Sequence, residues 1–313
     1  MQILNNFENI VKIPSPLNYL GGKYRLLPQI LPILPVTSRN FMDLFCGGCN
    51  VGINACAERI YFNDNNRFLI GLLRAFQQLE ITKVLERISE LIVQYGLSDS
   101  SRYGYEYYAC NGSDGLTEFN KIPFLNMRED FNCIQKQDSE YFIRLYVLIV
   151  FAFNNQMRFN RHGKFNLPVG KRDFNIQMKS KLIEFMKRLQ DGNYFFSYAD
   201  FRDVDFSQYS EEDFVYVDPP YLITCATYNE QNGWNEKDEM DLLNFLNGLD
   251  RRGIRFALSN VLHSKGKENR ILLDWIDKQQ KYRIHFLDFH YANSNYQTKD
   301  KTRSSCEVLI TNY

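Results

Sequence analysis

The stretch Phe41-Met-Asp-Leu-Phe-Cys-Gly-Gly-Cys-Asn-Val-Gly52 decides the fold class. An apolar run ends at Asp43, and two glycines then open a turn into a helical pattern. Gly47 and Gly48 permit positive φ and close approach of a ligand to the backbone. In doubly wound sheets the carboxyl ends of the strands form the ligand crevice, so a nucleotide site is expected here. The spacing is G-G-x-x-x-G, not the G-x-G-x-x-G of dinucleotide dehydrogenases.

Outward from this stretch, short apolar β-rich runs recur at 41–45, 60–63, 194–198, 214–217, 255–259, 282–291 and 307–311, which predicts seven strands. Helical patterns at 51–58, 67–78, 179–189, 236–249 and 267–278 lie between several of them, and a further helix is read at 24–31. Alternation of this kind predicts a mainly parallel α/β sheet with helices on both faces. The last two strands are separated by a polar loop, 292–305, which predicts an antiparallel hairpin. Between about 70 and 175 the alternation stops. Segments 81–95 and 141–154 read as helices, while 104–128 mixes Tyr, Asn, Gly and Ser without a steady period. The expected organisation is a sheet domain in two parts, 1–70 and 173–313, interrupted by a helix- and loop-rich insert, 71–172.

Composition limits the function. The chain has 313 residues, and an aromatic content of 15% excludes disorder as the main state. Mean hydropathy is −0.40, and the longest apolar candidate, 141–153, contains Arg144 and falls short of the roughly 18–20 residues of a membrane span. The first ten residues include Asn5, Asn6 and Glu8, so no signal peptide is expected. Seven irregularly spaced cysteines fit a reduced, cytoplasmic compartment. Cys46-Gly-Gly-Cys49 has no second pair to complete a zinc site, and no metal is expected. Lys+Arg and Asp+Glu balance at 37 each, so bulk charge announces no nucleic-acid partner. Locally, 158–188 carries nine basic side chains against Asp173 and Glu184. That is either a solvated face or a phosphate-contacting surface.

Three more constellations carry chemistry. Tyr61-Phe-Asn-Asp64 ends the second strand, where a carboxylate suits ribose hydroxyls or, alternatively, caps the helix from Asn66. Asp218-Pro-Pro-Tyr221 follows an apolar strand and is the most specific signal in the chain. Its prolines stiffen the backbone where neither continues a ladder. The Asp218 carboxylate and the Pro219 carbonyl can accept hydrogen bonds from an exocyclic amine, and Tyr221 offers a face to a planar base. Upstream, Ser15-Pro-Leu-Asn-Tyr-Leu-Gly-Gly-Lys23 sets an aromatic and a cation around a glycine pair, which is either a ligand contact through Lys23 or an ordinary loop entering a helix.

In this order these elements resemble the Dam-type (D12-class) adenine-N6 DNA methyltransferases. The resemblance rests on Asn18-Tyr-Leu-Gly-Gly-Lys23, Asp43-Leu-Phe-Cys-Gly-Gly48, Asp64, Ala199-Asp-Phe201, Asp218-Pro-Pro-Tyr221, Phe256-Ala-Leu-Ser-Asn260 and the ending Glu307-Val-Leu-Ile-Thr-Asn-Tyr313. Tyr19 stands where many members have Trp. Arg158-Phe-Asn-Arg-His-Gly-Lys-Phe-Asn-Leu-Pro-Val-Gly170 is similar to a hairpin by which the family approaches DNA. The resemblance implies a Rossmann-like, seven-stranded methyltransferase sheet with an inserted target-recognition domain. It implies S-adenosyl-L-methionine as cofactor, held by Tyr19, Lys23, Asp43, Phe45, Gly47, Asp64, Asp200, Phe201 and Asp218. It implies methylation of N6 of a flipped-out adenine in double-stranded DNA, with Asp218, Pro219 and Tyr221 catalytic. DNA would be met by Arg158, Phe159, Asn160, Arg161, Lys164 and Asn166. A bacterial or phage enzyme is implied, orphan or paired with an independently acting restriction endonuclease. Alternatives are transfer to cytosine N4 or RNA adenine, and a catalytically silent DNA-binding protein. A dehydrogenase would leave Asp218–Tyr221 without a role.

Overall fold

The structure, a computed structural model, describes residues 11–110, 115–224, 233–288 and 305–313. The first ten residues, Cys225, the end of the strand expected over 282–291 and nearly all of the loop 292–305 lie outside the described residues. The strands are β1 (Ser38–Asp43), β2 (Ala57–Asp64), β3 (Tyr194–Tyr198), β4 (Phe214–Val217), β5 (Arg255–Ser264), β6 (Lys267–Glu268), β7 (Arg283–Leu287) and β8 (Cys306–Thr311). The helices are α1 (Leu27–Ile30), α2 (Arg67–Gln78), α3 (Ile81–Tyr95), α4 (Ser100–Tyr103), α5 (Thr117–Cys133), α6 (Ser139–Phe151), α7 (Ile176–Asp191), α8 (Glu236–Arg251) and α9 (Arg270–Lys278). They form two compact units, one on Lys23–Asn65 and Asn193–Tyr313, the other on Lys12–Gly22 and Asn66–Gly192.

The first unit is an α/β sheet with strand order β3-β2-β1-β4-β5-β8-β7. The short β6 pairs with β5 off this path. The pairs β1·β2, β1·β4, β2·β3 and β4·β5 are parallel, whereas β8 runs antiparallel to both β5 and β7. Every residue of β4 is buried, as a strand covered on both faces requires. One core joins Val215 and Val217 to Phe256, Leu258, Leu242, Leu246, Leu272, Val308 and Ile310. Each such side chain contributes roughly 1.5–3 kcal/mol by leaving water. A buried clamp fixes the start of β1: the Asp213 carboxylate accepts from Arg39 Nη2 at 2.6 Å and from Asn40 N at 3.0 Å.

The helix expected over 51–58 is instead a single 3-10 turn, Gly52–Asn54, followed by extended Ala55 and then β2. Gly52 packs so closely that a Cβ there would lie 2.4 Å from the Phe62 ring and 3.0 Å from Asp43 Oδ2. The helix expected over 24–31 is likewise a 3-10 turn, Tyr24–Leu26, leading into the one-turn α1, which has Pro at its start. The pattern read as helix over 267–278 begins with β6, and α9 starts only after the Asn269 cap, whose side chain accepts from Leu272 N.

The second unit is helical. α6 is nearly all buried and packs with α2, α3 and α5. It stops at Phe151, short of the expected Asn154, because Ala152 is extended (φ −77, ψ 160), and Asn154 falls in a separate turn with φ 54. The segment 104–128, read as patternless, holds the larger part of α5, from Thr117 to Arg128. Pro123 inside that helix and its weak amphipathicity hide the period. Buried Asp173 accepts from Ser100 N at 2.6 Å and Ser100 Oγ at 2.7 Å, so this acidic residue is an internal anchor. Among the described residues no helix is long and apolar enough to cross a membrane.

Candidate active site

The strand order places a switch point between β1, whose chain continues to β2, and β4, whose chain continues to β5 on the other side. Ligand crevices form at such points, outside the carboxyl ends of the strands. Asp43 ends β1, Asp64 ends β2 and Asp218 follows β4, so three carboxylates share this edge. The antiparallel β8 brings its first residues to the same edge, Glu307 among them.

Asp218 is held from two sides. Its Oδ2 is 2.8 Å from Lys23 Nζ, and its Oδ1 accepts from the Tyr221 hydroxyl at 3.0 Å. That hydroxyl also lies 2.9 Å from Ser259 Oγ and 2.9 Å from Glu307 Oε1. Lys23 Nζ is 3.5 Å from Glu307 Oε1 and 5.0 Å from the centre of the Tyr221 ring. Lys23 and Glu307 are each only 3% exposed, against 17% for Asp218. Burial, followed by the nearby charge of Asp218, pushes the Tyr221 hydroxyl well up, so it remains a proton donor. Pro219 is buried, and neither it nor Pro220 has a backbone N–H to donate.

The glycine turn is organised by the other two carboxylates. Asp64 Oδ2 accepts from Gly47 N at 3.1 Å, and Asp43 Oδ2 accepts from Gly52 N at 3.1 Å. Gly47 has φ 46, and Cys49 takes φ 61, a region that favours glycine. Asp43 is buried, and desolvation pushes its carboxyl up to about 8. The helix cap at α2 is Asn66, which accepts from Phe68 N and Leu69 N, so neither Asn63 nor Asp64 is spent on capping. Asn63 instead donates to Leu44 O and Ala199 O.

Phe45 packs 5.5 Å from Phe201 and 5.8 Å from Trp234, centre to centre. Trp234 Nε1 donates to buried Glu239 at 2.6 Å, and Glu239 also accepts from Asn260 and Asn269. Asp200 is tied to Arg202, which also reaches Asp238 and Asp241. Sequence reading missed Glu307, Ser259 and Trp234 as site residues. Glu307 left a readable signal: it is a lone carboxylate opening an otherwise apolar strand.

In the second unit, Phe159 and Phe165 form an antiparallel bridge around a tight turn. Arg158 Nε donates to Asn166 Oδ1 at 2.8 Å, and Asn160 Oδ1 accepts from His162 N and Lys164 N. These polar side chains thus hold the hairpin itself. Phe159, expected among the residues that meet DNA, lies flat on Phe68 with centres 3.7 Å apart and meets Phe165 edge-on. Its ring is committed to packing. Arg161 and Lys164 at the tip are exposed, as are Lys171 and Arg172 beyond it. Tyr19 lies in this second unit.

A doubly wound sheet with acidic strand ends and an Asp-Pro-Pro-Tyr corner at its switch point defines an α/β protein whose ligand crevice is expected at the carboxyl ends of its strands. Residues 19–298 match the D12 class N6 adenine-specific DNA methyltransferases. The chain belongs to that family. It is 40% identical to modification methylase StsI of Streptococcus sanguinis over 307 residues, 96% of this chain and 43% of that protein. It is 40% identical to type II methyltransferase M.FokI of Planomicrobium okeanokoites over 308 residues, again 96% of this chain and 43% of that protein. It is 26% identical to the DNA adenine methylase of Escherichia coli (strain K12) over 249 residues, 78% of this chain and 79% of that protein. The chain therefore spans 43% of the length of the first two relatives.

Proposed function

We propose that this chain transfers a methyl group from S-adenosyl-L-methionine to N6 of adenine in double-stranded DNA, as a modification methylase or an orphan. The observation that carries the reading is the Asp218 corner, whose carboxylate is fixed by Lys23 and Tyr221 at the switch point.

The donor set fits the cofactor. Carboxylates at the ends of β1 and β2 suit ribose hydroxyls, and Gly47 brings the backbone close. Phe45 and Phe201 supply apolar surface for an adenine ring. The bound cofactor supplies an electrophilic methyl on a sulfonium. Asp218 and the Pro219 carbonyl orient the target amine by accepting its two hydrogens, which turns the nitrogen lone pair toward the methyl. Tyr221 offers its ring to the base while its hydroxyl stays anchored. Lys23 serves first to hold Asp218, since its ammonium is buried against that carboxylate.

An adenine inside a duplex is out of reach, so it is flipped out at a cost of roughly a few kcal/mol. The target-recognition role falls to the helical unit, which contains the expected insert 71–172 and extends beyond it over Asn66–Gly192, and the sheet unit, within the expected segments 1–70 and 173–313, holds the cofactor. Arg161 and Lys164 at the hairpin tip meet DNA, while Arg158, Phe159, Asn160 and Asn166 keep the hairpin in shape. A restriction endonuclease, where one accompanies the chain, acts independently.

The test is incubation of duplex DNA with tritiated cofactor, followed by identification of the modified base. N6-methyladenine is expected. N4-methylcytosine, or label only in RNA, overturns the acceptor assignment, and no label at all overturns the enzymatic reading.

A further inference from the structure

Asp218, Tyr221 and Lys23 account for the orientation of an amine, yet the same buried group holds a second carboxylate that orientation does not need. Glu307 Oε1 lies 2.9 Å from the Tyr221 hydroxyl and 3.5 Å from Lys23 Nζ. Its Oε2 is buried and has no hydrogen-bond partner among the described residues. A buried carboxylate with one oxygen unpartnered is costly as an anion, and protonation of the group removes the charge part of that cost.

The proton count sharpens this. Tyr221 has one hydroxyl proton but faces two carboxylate oxygens, Asp218 Oδ1 at 3.0 Å and Glu307 Oε1 at 2.9 Å. Among the described residues two carboxylates also face a single ammonium, Lys23. The pair therefore shares one bridging hydroxyl and has room for one more positive charge. Ser259 Oγ, 2.9 Å from the Tyr221 oxygen, keeps that hydroxyl in place. Among the described residues two further titratable groups face the cluster: Tyr216 of β4, which burial keeps protonated, and Asp43 of β1, whose carboxyl, pushed up to about 8 by desolvation, feels both Asp218 and Lys23.

We propose that Glu307 is the end of a proton relay, Asp218 to Tyr221 to Glu307, that takes up the proton shed by the target N6. The inference rests on the proposed methyl transfer. As the N6 lone pair takes up the methyl group, the nitrogen must lose one proton. Asp218 accepts it. Asp218 then donates to the Tyr221 oxygen while the Tyr221 hydroxyl proton passes to Glu307, so Tyr221 is unchanged and one proton has crossed. No heavy atom needs to move, because both contacts already have hydrogen-bond length. Burial, which raises the Glu307 carboxyl above its ordinary range, favours the proton at that end. Glu307 acts through Tyr221, so it is a positioning and relay residue rather than one that touches substrate.

Two measurements test this. The first is the single-turnover methylation rate against pH for the wild type, Glu307→Gln and Tyr221→Phe. Gln keeps an oxygen for Tyr221 and Lys23 but cannot take the proton, and Phe keeps the ring but breaks the bridge. Both should slow the chemical step by about tenfold or more, within the range general acid–base groups supply. Both should also erase the fall in rate that the wild type shows as acid protonates Glu307. Wild-type rate in Glu307→Gln, or a lower rate with an unchanged pH profile, overturns the relay. The second is the infrared difference spectrum between wild type and Glu307→Gln across pH, without cofactor or DNA. A protonated-carboxyl band titrating above the ordinary carboxylate range is expected from Glu307, and its absence overturns the proposal. A wild type that makes no N6-methyladenine defeats the functional reading instead, which the infrared result does not depend on.

Discussion

The strand-edge cluster of the sheet unit, where Lys23 and Asp218 but not Glu307 were expected from sequence, and the hairpin of the helical unit treat charge oppositely. At the edge, Lys23 and Glu307 are almost fully removed from water and locked to Asp218 and Tyr221. At the hairpin, Arg161 and Lys164 stay exposed on a turn held by Asn160. Desolvated charge is stable only when paired, and the pairing fixes geometry, which suits chemistry. Exposed charge is screened by salt and adaptable, which suits attraction to a phosphate backbone.

The largest expected effect is at the edge. Asp218→Ala removes the acceptor that orients the amine and should cut turnover by about 100-fold or more, the scale on which losing one oriented polar group is felt. Methyl transfer at low and high salt, with DNA saturating, checks it. The deficit should be the same at both, and a deficit that closes as salt changes breaks the comparison.

Next is the pH dependence of stability. The folded Asp43 carboxyl is raised to about 8, so the native state keeps a proton that the unfolded chain releases near 4. Its contribution is fully present below the unfolded value and is lost as pH rises toward 8. The limiting slope for one proton is about 1.4 kcal/mol per pH unit. Asp43→Asn keeps an oxygen for Gly52 N and should flatten the stability curve between pH 4 and 8, measured by denaturant unfolding.

Smaller effects belong to the hairpin. Arg161→Ala and Lys164→Ala should each weaken DNA binding and reduce the slope of log affinity against log salt by about 1 if the side chain meets a phosphate. Cofactor affinity should not change. Salt titrations on specific and random duplexes read both quantities. Smallest is Phe159→Ala. With its ring stacked on Phe68, its loss should loosen the hairpin and lower thermal stability, while leaving the salt slope as it was. An altered salt slope in that variant would return Phe159 to the DNA surface.

Much of this was legible in the chain itself. Apolar runs that end on Asp43, Asp64 and Asp218 announce parallel strands with acidic carboxyl ends, because a strand covered on both faces must be apolar until it emerges. The Pro-Pro pair marks a corner for the same local reason, since neither proline can continue a ladder. The helical patterns read over 67–78 and 81–95 are α2 and α3 at their observed bounds. Local chemistry fails where a tertiary contact outweighs propensity. The pattern after Gly47 is helical, but Gly52 lies against Phe62 and Asp43, which leaves space for one 3-10 turn only. Pro123 masks α5, whose buried Phe124, Met127 and Phe131 hold it in place despite the proline.

Which side chains meet was decided by tertiary structure alone. Lys23, Asp218 and Glu307 are far apart along the chain and carry no shared period. They converge because β8 runs antiparallel beside β5, so that its first residues reach the edge where β4 ends. The sequence by itself determined the strands, the corner and the kinds of group available. Only the closing of the sheet determined that an ammonium and two carboxylates would leave water together, and with that which hydroxyl must lie between them.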